Sequence, residues 1–178
     1  RNKDLSFKNK SDIDFTPFFD ARSKFYIDHI DPKIFKRLDL DKILEFKNII
    51  KTINSKNEIN FKAKKFSQNL VDELYLQVDL AYGRLNFSNK TKIWKNFSYC
   101  KGNINLLEDY PKVIFDCTLN LNRKKNFLKK FSINSKNESK NLELYVNGNL
   151  NILNNKINFK NISTNDQYVA SNEDLIYF

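Results

Sequence analysis

The sequence contains one histidine, two cysteines, three glycines and three prolines among 178 residues, and each scarcity removes a class of function. Covalent or acid–base catalysis of the triad kind needs a nucleophile, a base and an orienting group. The single His29 lies in Tyr26-Ile27-Asp28-His29-Ile30-Asp31 with no partner in view. It reads as an exposed histidine at a strand end, and the chain as a non-enzyme with no catalytic residue. Gly83, Gly102 and Gly148 are too dispersed for a phosphate-binding loop, which excludes the nucleotide fingerprints. The carboxylate pairs Asp12-Ile13-Asp14 and Asp39-Leu40-Asp41 do not continue into a calcium loop. Cys100 and Cys117 follow no metal-type spacing and are too few for a disulfide framework, which leaves the compartment undecided. No metal and no cofactor is expected.

Also missing is any run approaching the roughly 18 apolar residues of a membrane-crossing helix, or an opening charged-then-apolar export signal. Arg1 at one end and the Leu-Ile-Tyr run before Phe178 at the other read as the limits of a fragment. Any anchor would then lie in sequence beyond it.

What is present points to a folded, β-rich chain. Hydrophobic residues reach 40%, including 16 Phe and 8 Tyr, against 29% charged residues, which is too apolar for a disordered segment. The net charge of +10 raises nucleic acid or an anionic membrane as partners. Yet lysine is interspersed from end to end, and clusters such as Lys62 to Lys65 and Arg123 to Lys125 read as solvated faces, so no specific nucleic acid is expected. Trp94, Phe97 and Tyr99 lack the motifs of a nucleic-acid stacking platform and read as core and interface aromatics.

Apolar and polar residues alternate strictly in many segments, the period-two pattern of strands with one buried and one wet face. Ile59 and Phe61 begin the series, followed by Leu74, Leu76 and Val78, by Ile104 and Leu106, by Val113, Phe115, Cys117 and Leu119, and by Leu142, Leu144 and Val146. Turns between these segments use Asn, Lys, Asp and Ser. Glu108-Asp109-Tyr110-Pro111 predicts a hairpin turn. Closing it at Leu107 and Lys112 sets position 100 opposite 119 and makes Cys100 and Cys117 diagonal neighbours. A disulfide then needs a register shift of two, and small apolar fillers are the preferred reading.

Helical signals are few. Asp31-Pro32 is a capped start, and Ile34, Phe35, Leu38, Ile43, Leu44, Phe46, Ile49, Ile50 and Ile53 recur at helical spacing, predicting one substantial helix over 32–53. A short helix is predicted near 125–131, where Phe127, Leu128 and Phe131 share a side. The fold expected is mainly β, a long, twisted, antiparallel, groove-like sheet with one apolar face, forming a single segment over 1–178. So few helices cannot cover such a face. The face must close on itself, meet another sheet or hold something apolar, and its stripe (Ile59, Phe61, Leu74, Leu76, Val78, Ile104, Leu106, Val113, Phe115, Leu119, Leu142, Leu144, Val146) can take acyl chains, which gain about 0.8 kcal/mol per buried methylene and need no precise polar partner.

Several stretches carry a resemblance: Asn57-Glu58-Ile59-Asn60-Phe61-Lys62, Val71-Asp72-Glu73-Leu74-Tyr75-Leu76, Tyr82-Gly83-Arg84-Leu85-Asn86-Phe87, Gly102-Asn103-Ile104-Asn105-Leu106-Leu107, Val146-Asn147-Gly148-Asn149-Leu150-Asn151-Ile152 and Tyr168-Val169-Ala170. Together, over roughly 55–178, they resemble the C-terminal region of AsmA-like proteins. The resemblance implies a periplasmic β-sheet groove tethered to the inner membrane by an N-terminal helix that this chain lacks. It also implies a role in carrying phospholipid toward the outer membrane and maintaining that membrane. A structural or adhesive β-sheet surface protein is the second reading, and a basic nucleic-acid-binding module the third.

Overall fold

The computed structural model describes residues 5–30, 44–63, 71–122, 124–130, 132 and 141–177. Nine strands form one open sheet in sequential order: β1 (Leu5–Asp14), β2 (Asp20–Ile30), β3 (Asn54–Lys62), β4 (Glu73–Ala81), β5 (Arg84–Ile93), β6 (Asn96–Asn105), β7 (Lys112–Leu121), β8 (Leu142–Asn151) and β9 (Lys156–Thr164). The mainly β expectation holds, but the sheet is mixed. β2 and β3 run parallel, Phe25 beside Ile59 and Ile27 beside Phe61, while every other neighbouring pair is antiparallel. Parallel neighbours need a long crossover, which residues 31–53 supply.

That crossover also corrects the helix expected over 32–53. Its first part, 32–43, lies outside the described residues. In the remainder Leu44 and Glu45 are helical, a turn at Phe46 interrupts the helix, α1 (Lys47–Ile50) follows, and β3 begins at Asn54. The physical reason is visible in the stripe itself. Ile50 is buried and Leu44 packs beside it while Phe46 and Ile49 stay 54% and 55% exposed, so two separate anchors rather than a continuous face hold the segment to the sheet. The short helix near 125–131 occurs as α2 (Lys124–Lys130), with Phe127 and Leu128 half-buried; Phe131 lies outside the described residues.

A third helix, α3 (Asn172–Tyr177), was not foreseen. Its signal is Ser171-x-x-Asp174. The Ser171 hydroxyl accepts from the Asp174 N–H at 3.2 Å, and the Asp174 carboxylate accepts from the Ser171 N–H at 2.9 Å, a reciprocal capping box. The hydroxyls of Ser171 and Tyr168 also donate to this carboxylate, and the Ser171 N–H foremost, with these two hydroxyls, holds the Asp174 carboxyl below the usual carboxylate range.

Asparagine does the turn-forming that scarce glycine does elsewhere. The Oδ1 atoms of Asn105, Asn151 and Asn154 accept from the N–H two residues on, at 3.2, 3.0 and 3.0 Å. Two-residue hairpins close at Tyr82-Gly83 and Trp94-Lys95, where all four residues take positive φ, the geometry of the type I′ turn. The Trp94 ring meets Phe127, 6.0 Å between centroids.

A one-sided candidate groove

Register decides which residues share a face, because alternate positions of paired strands line up across the sheet. Following the pairing from β3 to β8, Ile59, Phe61, Leu74, Leu76, Val78, Ile104, Val113, Phe115, Leu119, Leu142, Leu144 and Val146 all stand on one face. Leu106 follows just beyond the end of β6. Apart from the bulge residues Asp28 and Lys160, no strand position on this face carries a charge, and the lysines, aspartates and glutamates of the strands fall on the other.

Burial divides the face into zones. At one end Ile50 of α1 meets Ile104, Leu106 and Ile152 in a buried cluster, with Leu44, Leu80, Leu85 and Val113 packed against it. Ile104 and Leu106, expected to face lipid, are therefore sealed end-core residues. Near the opposite end Leu121 is buried. Between them Ile59, Phe61, Leu74, Leu76, Val78, Phe115, Leu119, Leu144 and Val146 are all only half-buried.

The floor of this middle zone has a feature that the sequence did not announce. One row reads Val78, Phe87, Gly102, Phe115, Gly148, Phe159 across β4 to β9. A Cβ on Gly102 would meet the Phe87 ring at 2.5 Å, and one on Gly148 the Phe115 ring at 3.1 Å. Each glycine thus provides the space over which the neighbouring phenyl ring lies, and the Phe115 ring meets Phe159 edge-on at 6.3 Å. The result is a strip of aromatic carbon free of polar side chains, because glycine and phenylalanine alternate strand by strand.

Cys100 and Cys117 lie on the same face, and here the hairpin register is corrected. Gly102 pairs with Phe115 and Cys100 directly with Cys117, two residues from the expected alignment. The turn is longer than the Leu107–Lys112 closure implied, because Leu106 and Pro111 both turn inward and are buried. With Cα atoms 4.1 Å apart, as at the close, non-hydrogen-bonded positions of an antiparallel pair, the two cysteines form a disulfide across β6 and β7. They are not free fillers.

No family model, characterised protein or solved structure matches this chain. Function therefore has to be argued from the surfaces alone. Among the described residues no group of three or more His, Cys, Asp or Glu side chains is placed to hold a metal, and no helix is long and apolar enough to cross a membrane. His29 is exposed on the polar face of β2, facing Ser6 across β1. Of the aromatics Trp94, Phe97 and Tyr99, Trp94 sits in a turn, while Phe97 and Tyr99 stand on the polar face.

Proposed function

We propose that this chain is a conduit segment of an AsmA-like envelope protein, non-catalytic, whose uncharged face carries phospholipid acyl chains between inner and outer membrane. The observation that carries the reading is the middle zone, where half-open apolar side chains, interrupted by the uncharged Asn57, Asn89, Thr91 and Ser98, lie between two sealed ends. Apolar side chains gathered on one face and left half-open suit contact with an apolar partner. Nine strands at about 4.8 Å spacing give a floor of about 38 Å along the hydrogen-bonding direction, enough for an extended acyl chain. The Phe–Gly strip suits such a ligand, since a sliding alkyl chain gains from area and loses nothing to mismatched hydrogen bonds.

The Cys100–Cys117 disulfide supports a periplasmic setting, because disulfides persist in oxidising compartments. Attachment to the inner membrane through a segment outside this chain completes the proposal. The test is acquisition of phospholipid from vesicles by the purified chain, read by native mass spectrometry. Phe115→Asp and Leu144→Asp abolish uptake and keep a β-rich far-UV spectrum if these side chains line an open groove. Loss of fold in both variants favours the structural reading, in which this face is core.

A further inference from the structure

The face opposite the groove carries its own pattern. Tyr26 on β2, Tyr75 on β4, Tyr99 on β6 and Tyr145 on β8 occupy a single row running straight across the sheet. The intervening odd-numbered strands place Asn60, Lys90 and Thr118 in the same row. No stretch of the sequence shows this, because the four tyrosines are separated by irregular intervals and only nine-strand register aligns them. All four are open to solvent, at 52%, 37%, 41% and 39%. Two hollows lie along the row, one of about 810 Å³ including Tyr26, Asn60 and Tyr75, and one of about 590 Å³ including Tyr75, Tyr99 and Tyr145.

Tyrosine on every second strand gives a ring-to-ring pitch of two strand spacings, about 9.6 Å. That is close to the length of one disaccharide in an extended β-1,4-linked glycan, in which every second sugar presents the same face. Aromatic rings at this pitch stack on alternate sugars, while amide, hydroxyl and ammonium groups between them meet the sugar hydroxyls. Charge argues against a polyanion. Lys24, Lys92 and Lys101 beside the row pair with Glu58, Glu73 and Asp116 at 3.2, 3.4 and 3.9 Å, and Lys90 lies over the Phe97 and Tyr99 rings at 5.4 and 5.5 Å. Along the middle of the row these cations are neutralised or held against rings, and the exposed Lys8 and Lys10 lie only at its β1 end, so among the described residues the four tyrosines are not joined by a continuous positive track for phosphates.

We infer that the Tyr26–Tyr75–Tyr99–Tyr145 row is a binding platform for a single β-1,4-linked glycan chain. Sheet twist of about 20–25° per strand turns each ring relative to the last, so the platform fits an isolated, twisting chain rather than a flat crystalline surface. The inference concerns the opposite face from the groove and does not rest on the lipid reading.

Isothermal titration of the 178-residue chain with chitohexaose, cellohexaose and chitobiose tests it. One hexasaccharide binds, chitobiose binds much more weakly because it reaches one ring, and Tyr75→Thr and Tyr99→Thr each weaken the hexasaccharide roughly threefold to tenfold. Tyr99→Phe keeps the stacking ring and the affinity. Absence of binding by both hexasaccharides overturns the inference, as does undiminished binding in a Tyr75→Thr/Tyr99→Thr double variant. A decathymidylate that binds with the same tyrosine dependence while the sugars do not also overturns it, in favour of nucleic acid. Should the threonine variants lose their β spectrum, tyrosine ring resonances of the unaltered chain decide: movement of these four on titration supports the platform, and movement only elsewhere refutes it.

Discussion

Reducing the Cys100–Cys117 bond gives the most calculable response. The bond joins residues 17 apart in sequence across a hairpin whose pairing is otherwise regular. In the chain-entropy description, closing a loop of this size removes about 3 kcal/mol of freedom from the unfolded chain at 25 °C. The folded state changes little, because two thiols fit where the disulfide lay, on a face that accepts small apolar groups. With a urea dependence of about 2 kcal/mol/M for a chain of this size, the unfolding midpoint falls by about 1.5 M on adding reductant. Urea titration followed by far-UV circular dichroism, with and without a phosphine reductant, measures the shift. A Cys100→Ser/Cys117→Ser variant reproduces the reduced midpoint and does not respond to reductant. Identical midpoints in both conditions, or two titratable thiols in protein never exposed to reductant, refute the reasoning.

Three further perturbations probe other parts of the account. Gly102→Ala places a methyl against the Ile114 carbonyl oxygen and the Phe87 ring, and costs about 1–3 kcal/mol by overpacking, where an unobstructed strand glycine would gain stability from the same change; denaturant melts give the sign. Ile50→Ala empties the anchor of α1 and costs about 2 kcal/mol, whereas Ile49→Ala, on the exposed side, stays within about 0.5 kcal/mol. At α3 the depressed Asp174 pKa means the cap stabilises fully above the ordinary carboxylate range and is lost as pH falls through the folded value. Carbon-13 titration of Asp174 shows this directly, and Ser171→Ala returns its pKa toward normal.

The division between what the sequence revealed and what it hid has a physical basis. Period-two alternation is a property of each strand alone, so the common face of Ile59, Leu76, Phe115 and Leu144 is legible without knowing any pairing. β1 was not legible, because an edge strand leaves Asn9 and Ser11 on the face that elsewhere is apolar, and alternation fades. β5 is blurred for the same reason at Asn89 and Thr91. Hairpin register escaped because the turn's length depends on Leu106 and Pro111 folding into a core that exists only in three dimensions. The parallel β2–β3 pair, the Phe–Gly floor and the tyrosine row are properties of several strands at once, and single-segment periodicity has no access to them. The breadth of the apolar stripe misled for the opposite reason, since a helical pattern was present but, among the described residues 44–50, Ile50 and Leu44 pack on the end cluster while Phe46 and Ile49 stay exposed.

The central claim, that the open middle of the apolar face takes acyl chains, is tested most directly by native mass spectrometry of the purified chain after incubation with phospholipid vesicles. The account predicts protein carrying phospholipid at defined stoichiometry, with the bound lipid lost in Phe115→Asp and Leu144→Asp variants that keep their β spectrum. A folded, lipid-free monomer that acquires nothing from vesicles contradicts it.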